Sequence, residues 1–354
     1  MRMEVSASFD PGLWDEFVAS QEMGHYMQSY AWGQFQRSAG WTVNYCVVHD
    51  GGALRASALV LSRPVPGTGT RVLYSPRGPV SAVGDREAVE VLLDGLRAHV
   101  ARENGVFLRC DPYWTEMESA HSNALAARCS RVPRDWSSWN APRFVFWLDL
   151  SGSEEVLFKR LSSGCRNEVR RGYKSGVDFS LGRAEHIDEF YQLLVLTGQQ
   201  KGIAFHGVEY YRNLFEVLNA SAKVQLFCGR VEGELIAGGI SVIYGRKAWL
   251  LYAASAPAHY KLRANRTIQW EMIKWAHESG CSRYDFRGTA TNDPPSPADP
   301  GYGVYEFKKS FGPEFTRTVG YYDLVNRPMM YRALRYAEDS LLPIAYRVRT
   351  WLNR

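Results

Sequence analysis

Twice along this chain a helix-rich opening gives way to a series of strand-length runs, and this doubled order constrains the fold more than any other feature. In the first pass, residues 13–20 and 30–39 read as short helices, and 43–49, 56–61 and 72–74 as strands. Ser75-Pro76-Arg77-Gly78-Pro79 must turn, because its prolines exclude a central strand. Residues 87–103 place Val89, Leu92, Leu93, Leu96 and Val100 at helical spacing. A strand over 106–110 then runs into Asp111-Pro112, a chain break, since the residue before proline is pushed out of the helical region.

The second pass opens after residues 136–142 with a strand over 144–150. An amphipathic helix over 153–171 follows, with Ser153 as its N-cap. Helices are expected over 187–198 and 209–220, and strands over 224–231, 235–244 and 247–252, the first two joined by Glu232-Gly233-Glu234. A helix over 265–279 leads into a strand over 283–286. The proline-rich loop 288–303 reads as a lid that orders on binding, because a long structureless insert in a compact domain is usually functional. Helices, an antiparallel meander, then helix and strand make an α+β layout. Its recurrence predicts two similar domains, 1–143 completed by 316–354, and 144–315. The tail, 329–354, shows a basic helical pattern broken at Pro343, with Tyr331, Leu334, Ala337 and Leu341 placed to pack on the first domain.

A length of 354 residues suits two domains of ordinary size. The net charge of +5 and pI near 8.8 suit an anionic partner without requiring one. The six cysteines are scattered without a CxxC pair, which reads as reduced, mostly buried thiols in a cytoplasmic protein. The first residues carry acids and no apolar core, unlike a signal peptide, and no apolar run reaches the roughly 18 residues of a membrane span. The histidines lack ligand spacing, so no metal is expected. No P-loop, dinucleotide fingerprint, KH or RRM pattern is present.

Several motifs, taken in order, carry a likeness. Gln28-Ser29-Tyr30-Ala31-Trp32-Gly33 opens the series, and Tyr74-Ser75-Pro76-Arg77-Gly78-Pro79 and Arg109-Cys110-Asp111-Pro112 follow. Leu161 to Asn167 with Lys174-Ser175-Gly176-Val177, Tyr252-Ala253-Ala254-Ser255, Tyr284-Asp285-Phe286-Arg287-Gly288 and Val304 to Gly312 complete it. With these the chain resembles the Fem family of non-ribosomal peptidyltransferases, which add amino acids from aminoacyl-tRNA to peptidoglycan precursors. The resemblance implies two acetyltransferase-like (GNAT-like) domains. The absence of a heptad run matches the armless, FemX-like kind, without a coiled-coil arm. It implies aminoacyl-tRNA as co-substrate and no cofactor, with a peptidoglycan precursor as acceptor; the basic C-terminal helical pattern, read from the residues, offers a peripheral membrane contact.

Aminoacyl transfer to an amine passes through a tetrahedral oxyanion, so the protein must position two substrates and stabilise negative charge. Phe307-Lys308 has the needed composition, a ring for a terminal adenine and a cation for phosphate or oxyanion, and occupies the family's Phe-Lys position. The plainer reading is a strand with Phe307 in the core and Lys308 solvated. Asp111 could take the acceptor's ammonium proton, or simply be a turn residue before proline. Tyr211 and Tyr252 could bind the acceptor, or be buried tyrosines with satisfied hydroxyls. Trp32 belongs to the family's opening motif. Arg166, Arg170, Arg171 and Lys174 form the expected tRNA-facing surface, or a solvated helix face.

Two positions depart from the family. Members using a nucleotide-linked precursor carry a lysine four residues after the opening Trp, where this chain has Gln36 followed by Arg37. They also carry an arginine four residues before the tyrosine matching Tyr211, where this chain has Gly207 preceded by His206. Either Arg37, Lys201 or Arg212 substitutes, or the acceptor is another one, such as a small peptide or secondary metabolite. An acyl-CoA N-acyltransferase would want a glycine-rich pyrophosphate turn, and Tyr260-Lys261-Leu262-Arg263-Ala264-Asn265 lacks those glycines. A scaffold docked on a membrane by the basic tail is a further reading.

Overall fold

The computed structural model describes residues 1–116, 119–132, 142–201, 205–288, 295–299 and 301–340. The chain divides into two units, Met1–Arg143 with Thr318–Arg354, and Phe144–Arg317. The first unit holds β1 (Arg2–Ser6), α1 (Pro11–Ser20), α2 (Tyr30–Ser38), β2 (Thr42–Asp50), β3 (Ala53–Val65), β4 (Thr70–Ser75) and β5 (Val80–Ser81). It continues through α3 (Arg86–Arg102), β6 (Gly105–Cys110), α4 (Ser119–Arg128) and β7 (Ser130–Arg131). The second unit runs β8 (Phe144–Asp149), α5 (Glu154–Arg160), α6 (Ser163–Tyr173), β9 (Asp178–Gly182), α7 (Ile187–Lys201), α8 (Val208–Leu218), β10 (Lys223–Val231), β11 (Glu234–Tyr244) and β12 (Lys247–Ser255). After α9 (Ala264–Glu278), β13 (Arg283–Gly288), α10 (Tyr302–Lys309) and β14 (Glu314–Arg317), the chain returns to the first unit with β15 (Tyr322–Val325) and α11 (Pro328–Ser340).

Both sheets share one plan. In the first the order is β1-β2-β3-β4-β6-β15-β7, with β5 on β3; in the second it is β14-β8-β13-β12-β11-β10-β9. Each has one parallel pair, β4–β6 and β12–β13, and antiparallel neighbours elsewhere. Parallel neighbours need a long crossover, supplied by α3 and α9. Both helices bury an apolar stripe against their sheet, Val89, Leu92, Leu93, Leu96 and Val100 in α3, and Ile268, Met272, Ile273 and Ala276 in α9. The strand flanking the parallel pair differs in origin. β15 comes from the C-terminal segment and β8 from the start of its own unit.

The family motifs of the first unit turn out to be braces. Gln28 is fully buried; its amide donates to Pro76 O at 2.6 Å and accepts from Leu59 N at 2.7 Å, tying the segment before α2 to the turn after β4. Ser29 caps α2 by accepting from Trp32 N at 3.0 Å. Gly33 lets α2 approach the sheet, for a Cβ there would stand 2.6 Å from the Tyr45 hydroxyl. Arg109 of β6 and Asp323 of β15 form a fully buried pair, with two nitrogens 2.8 Å from the two carboxylate oxygens.

Two local expectations change. The single helix over 153–171 is two. Ser153 does cap the first, but Leu161 is extended, Ser162 N donates to Ser310 O at 2.8 Å, and Ser162 caps a second helix by accepting from Cys165 N. The strand reading of Phe307-Lys308 gives way to the helix α10. The edge strands β1 and β9, five residues each with two apolar positions apiece, stand beyond the strands that the sequence predicts. Of the expected lid 288–303, residues 289–294 and 300 lie outside the described residues, as does 341–354, including Leu341. Tyr331 packs on the first unit, 5.4 Å from Phe107 between ring centroids, and donates to Asp323 at 2.9 Å. Among the described residues no helix is long and apolar enough to cross a membrane.

Candidate active site

In the second unit the parallel pair parts company. β12 and β13 pair from Lys247↔Arg283 to Trp249↔Asp285, after which β12 runs on to Ser255 and β13 to Gly288 without pairing each other. Arg287 spans the opening and donates to Leu251 O at 3.3 Å. Its backbone is left-handed, at φ 59°, and its N–H donates to Asp285 Oδ1 at 2.6 Å. The turned backbone presents two carbonyls to Lys308 of α10, whose Nζ donates to Gly288 O at 2.6 Å and Arg287 O at 3.3 Å.

Lys308 is only 7% exposed. Burial, opposed by the Asp285 carboxylate and assisted by the Arg287 cation, pulls its ammonium down to about 7. A lysine so placed switches between charged and neutral forms near neutrality, which suits a group that holds an oxyanion and passes a proton. The adjacent Phe307 is half-buried, neither in the core nor free. The Arg266 guanidinium lies 4.9 Å from its ring centroid, and Phe311 packs at 5.4 Å.

Tyr252 lies on the part of β12 that has left β13 but still pairs with Ile240 of β11, one residue beyond Leu251. Its ring meets that of buried Tyr211 edge-on at 5.0 Å, and its hydroxyl donates to Tyr210 at 3.4 Å. His206, exposed, stacks on Tyr210 at 4.0 Å between centroids. His206, Tyr211 and Tyr252 are thus brought into one aromatic group through Tyr210, and Arg287 links that group to Lys308.

The α6 cluster divides. Arg166 is committed to the end of α5, donating to Lys159 O at 2.9 Å and to Leu161 O. Arg170, Arg171 and Lys174 are exposed, Arg170 lying over Phe158. Gly172 lets α6 lie against Thr267 of α9, which turns the arginines outward. The turn before α9 is a 3-10 helix, Pro257–Leu262, closed by left-handed Arg263, and Asn265 Oδ1 takes the Arg266 N–H. Asn265 thus occupies one of the first backbone donors of α9.

The other candidates belong to the first unit. Asp111, 1% exposed, follows β6 and accepts from Arg77 N at 3.0 Å, with the guanidinium 3.7 Å from its other oxygen. Arg77 is left-handed at φ 55° and also donates to Pro142 O at 2.9 Å. Burial pushes the Asp111 carboxyl up to about 6 against the pull of Arg77. Trp32 is a core residue packed on Tyr26 and Phe35. Gln36 is half-buried near the end of α2. Arg37 is exposed but held by Gln34 at 3.1 Å and Ala7 O at 2.7 Å. Arg212, the other described substitute cation, pairs with Asp188 and Glu209; the Lys201 side chain lies outside the described residues. Among the described residues no group of His, Cys, Asp and Glu is placed to hold a metal.

Sequence reasoning gave no role to Arg77, Tyr210, Arg266 or Arg287. The signal for Arg77 and Arg287 was an arginine beside glycine inside a quoted motif, which left open whether the arginine or the turn mattered.

A profile of the FemAB family matches residues 12–228 and 229–339. Curated relatives include a lipid II:glycine glycyltransferase of Staphylococcus haemolyticus, 21% identical over 397 aligned positions covering 92% of this chain and 94% of the relative. A lipid II:glycine glycyltransferase of Staphylococcus aureus is also 21% identical, covering 96% and 97%. Both alignments exceed the 354 residues of this chain, so the relatives carry segments without a counterpart here. Among solved structures, a crystal structure of FemX superposes with a TM-score of 0.86 at 20% identity, covering 94% of this chain and 99% of that one. A tandem GNAT protein from the clavulanic acid biosynthesis pathway gives 0.52 at 12% identity, covering 91% and 98%. The paired GNAT-like fold is common to all three, and with the profile spanning nearly its whole length, this chain belongs to the FemAB family.

Proposed function

We propose that this protein is an aminoacyltransferase that moves an amino acid from aminoacyl-tRNA to an amine of a peptidoglycan precursor. The observation that carries the reading is the buried, carbonyl-held Lys308 at the splayed end of β12 and β13. The acceptor amine attacks the ester carbonyl, a C–N bond forms, and the ester C–O bond to the terminal ribose breaks. Lys308, anchored by two carbonyls, turns its remaining N–H toward the oxyanion. Its proton goes to the departing ribose oxygen, and the amine's proton restores it. Arg170, Arg171 and Lys174 offer outlying contacts for tRNA phosphates. Phe307, backed by Arg266, offers a platform for the terminal adenine.

The acceptor follows from what the second departure lacks. Gln36 and Gly207 stand at the family's cation positions, Arg37 is held by Gln34 and Ala7 O, and Arg212 pairs with Asp188 and Glu209, which supports an acceptor other than a soluble nucleotide-linked one. A lipid-linked precursor, as in the names of the staphylococcal relatives, keeps its pyrophosphate at the bilayer and needs no cation at those positions. The test incubates the protein with radiolabelled aminoacyl-tRNAs and, in turn, lipid II and the nucleotide-linked muropeptide, and weighs the products. Transfer to lipid II from a charged tRNA is expected. No tRNA-dependent product with either acceptor, or acylation from acyl-CoA, overturns the reading.

A further inference from the structure

Among the described residues, the helix α11 meets the first unit through the side that carries Met330 and Tyr331. Tyr331 reaches Phe107 and Asp323, and the Thr70 hydroxyl lies 3.5 Å from Met330 Sδ. Residues Met329, Arg332, Ala333 and Tyr336, at helical spacing, form the opposite stripe, and all four are exposed. Met329 is 86% and Tyr336 71% exposed, the two highest values among the exposed large apolar side chains. A single exposed hydrophobic residue needs no explanation, but two a double turn apart on one stripe, with an arginine between them, form a pattern.

The charge of the sequence that contains α11 points to the partner. From Arg327 to Arg354 the sequence holds six arginines against two acids, Glu338 and Asp339, and none of the acids lies beyond position 339. The same stretch carries Leu341, Leu342, Ile344, Trp351 and Leu352. RNA would be met by the arginines and by rings stacked on its bases, and offers nothing to the aliphatic Met329, Leu341, Leu342, Ile344 and Leu352. Apolar and aromatic side chains interleaved with arginines match an interface of acyl chains below anionic headgroups.

We infer that the exposed stripe of α11, Met329, Arg332 and Tyr336, docks the protein on an anionic lipid surface. Met329 and Tyr336 enter the headgroup boundary, and Arg332 pairs with lipid phosphate. The inference stands apart from the acceptor reading, since binding to lipid is measured without any substrate.

The test is flotation of the full chain with vesicles of phosphatidylcholine alone or mixed with phosphatidylglycerol. Binding to the mixed vesicles, weakened by salt, is expected, with little binding to phosphatidylcholine. Met329→Ser with Tyr336→Ser should weaken binding about tenfold, and Arg332→Glu by a similar factor, since each exposed cation near an anionic surface is worth about fivefold and its reversal more. Because these side chains face solvent, the thermal midpoint should not move. Absence of binding to anionic vesicles, or variants that bind as the unaltered protein does, overturns the inference. So does a variant that loses tRNA affinity and keeps vesicle binding, or one that loses self-association in sedimentation velocity while keeping it.

Discussion

The two units build the same junction and finish it differently. In the first, β4 and β6 stay paired to their common end, Ser75 opposite Cys110, and the loops beyond are locked by the buried Arg77–Asp111 pair. In the second, β12 and β13 separate after Trp249 and Asp285, and the opening is spanned by Arg287 and backed by Lys308. Each end carries a left-handed arginine and a buried titratable group of unlike sign. In the first unit that group faces a counter-ion. In the second, Lys308 faces two carbonyls and so keeps a donor to spare. A doubled fold can thus close one junction with a buried ion pair and leave the other with its strands apart.

The largest effect should come from breaking the closed junction. Arg77→Met takes from buried Asp111 the guanidinium that faces it, and removing one partner of a buried pair costs about 3–5 kcal/mol. Urea unfolding should show that loss, while Lys308 chemistry in whatever remains folded should persist. A variant of near-normal stability would mean that the first junction is not closed by this pair.

Lys308→Met attacks the open junction. Losing a charge stabiliser costs about 3 kcal/mol in the transition state, so transfer should slow by two orders of magnitude or more. Stability should not fall, because burial disfavours the ammonium. The unfolded lysine holds its proton up to the ordinary 10.5, whereas the folded one gives it up near 7. Between those values the unfolded state binds more protons, so stability rises with pH, and Met removes that slope. Near-normal turnover would take Lys308 out of the mechanism. For the unaltered protein, the contribution of charged Lys308 to rate should fade as pH rises through about 7.

Tyr252→Phe removes a hydroxyl that meets Tyr210 without disturbing the ring on Tyr211. A single neutral hydrogen bond is worth about 1 kcal/mol, so a roughly fivefold rise in KM for the acceptor is expected. An unchanged KM would make the aromatic group part of the core.

The doubled topology was legible because crossover helices and meander strands follow apolar periodicity, as with Val89 to Val100. The chemistry of the open end was less so. α10 is short, has Gly301 at its N-cap with no side-chain cap, and contains Gly303, so nothing local announces the helix that carries Lys308 inward. The break at Leu161-Ser162 depends on the Ser310 carbonyl, far along the chain. Nor could spacing say that Arg77 and Arg287 are left-handed. Sequence identified the motifs; which of them brace and which react depends on where strands stop pairing.

The smallest effect concerns tRNA. If the second unit meets only the acceptor end, few phosphates are neutralised, and the logarithm of affinity should fall with that of salt at a slope of roughly −2 to −4. Arg171 is exposed on α6, whereas Arg166 is spent on the carbonyls of Lys159 and Leu161. Arg171→Gln should therefore shallow the slope by about one, and Arg166→Gln should instead lower thermal stability and leave the slope alone. A short RNA hairpin copying the acceptor arm, charged with the right amino acid, should serve as donor nearly as well as whole tRNA. If only intact tRNA is used and the slope is steep, the contact extends well beyond α6. Charge on the first unit would then have to share the grip, and the division into a closed scaffold and an open reactive unit would fail for the donor while holding for the chemistry.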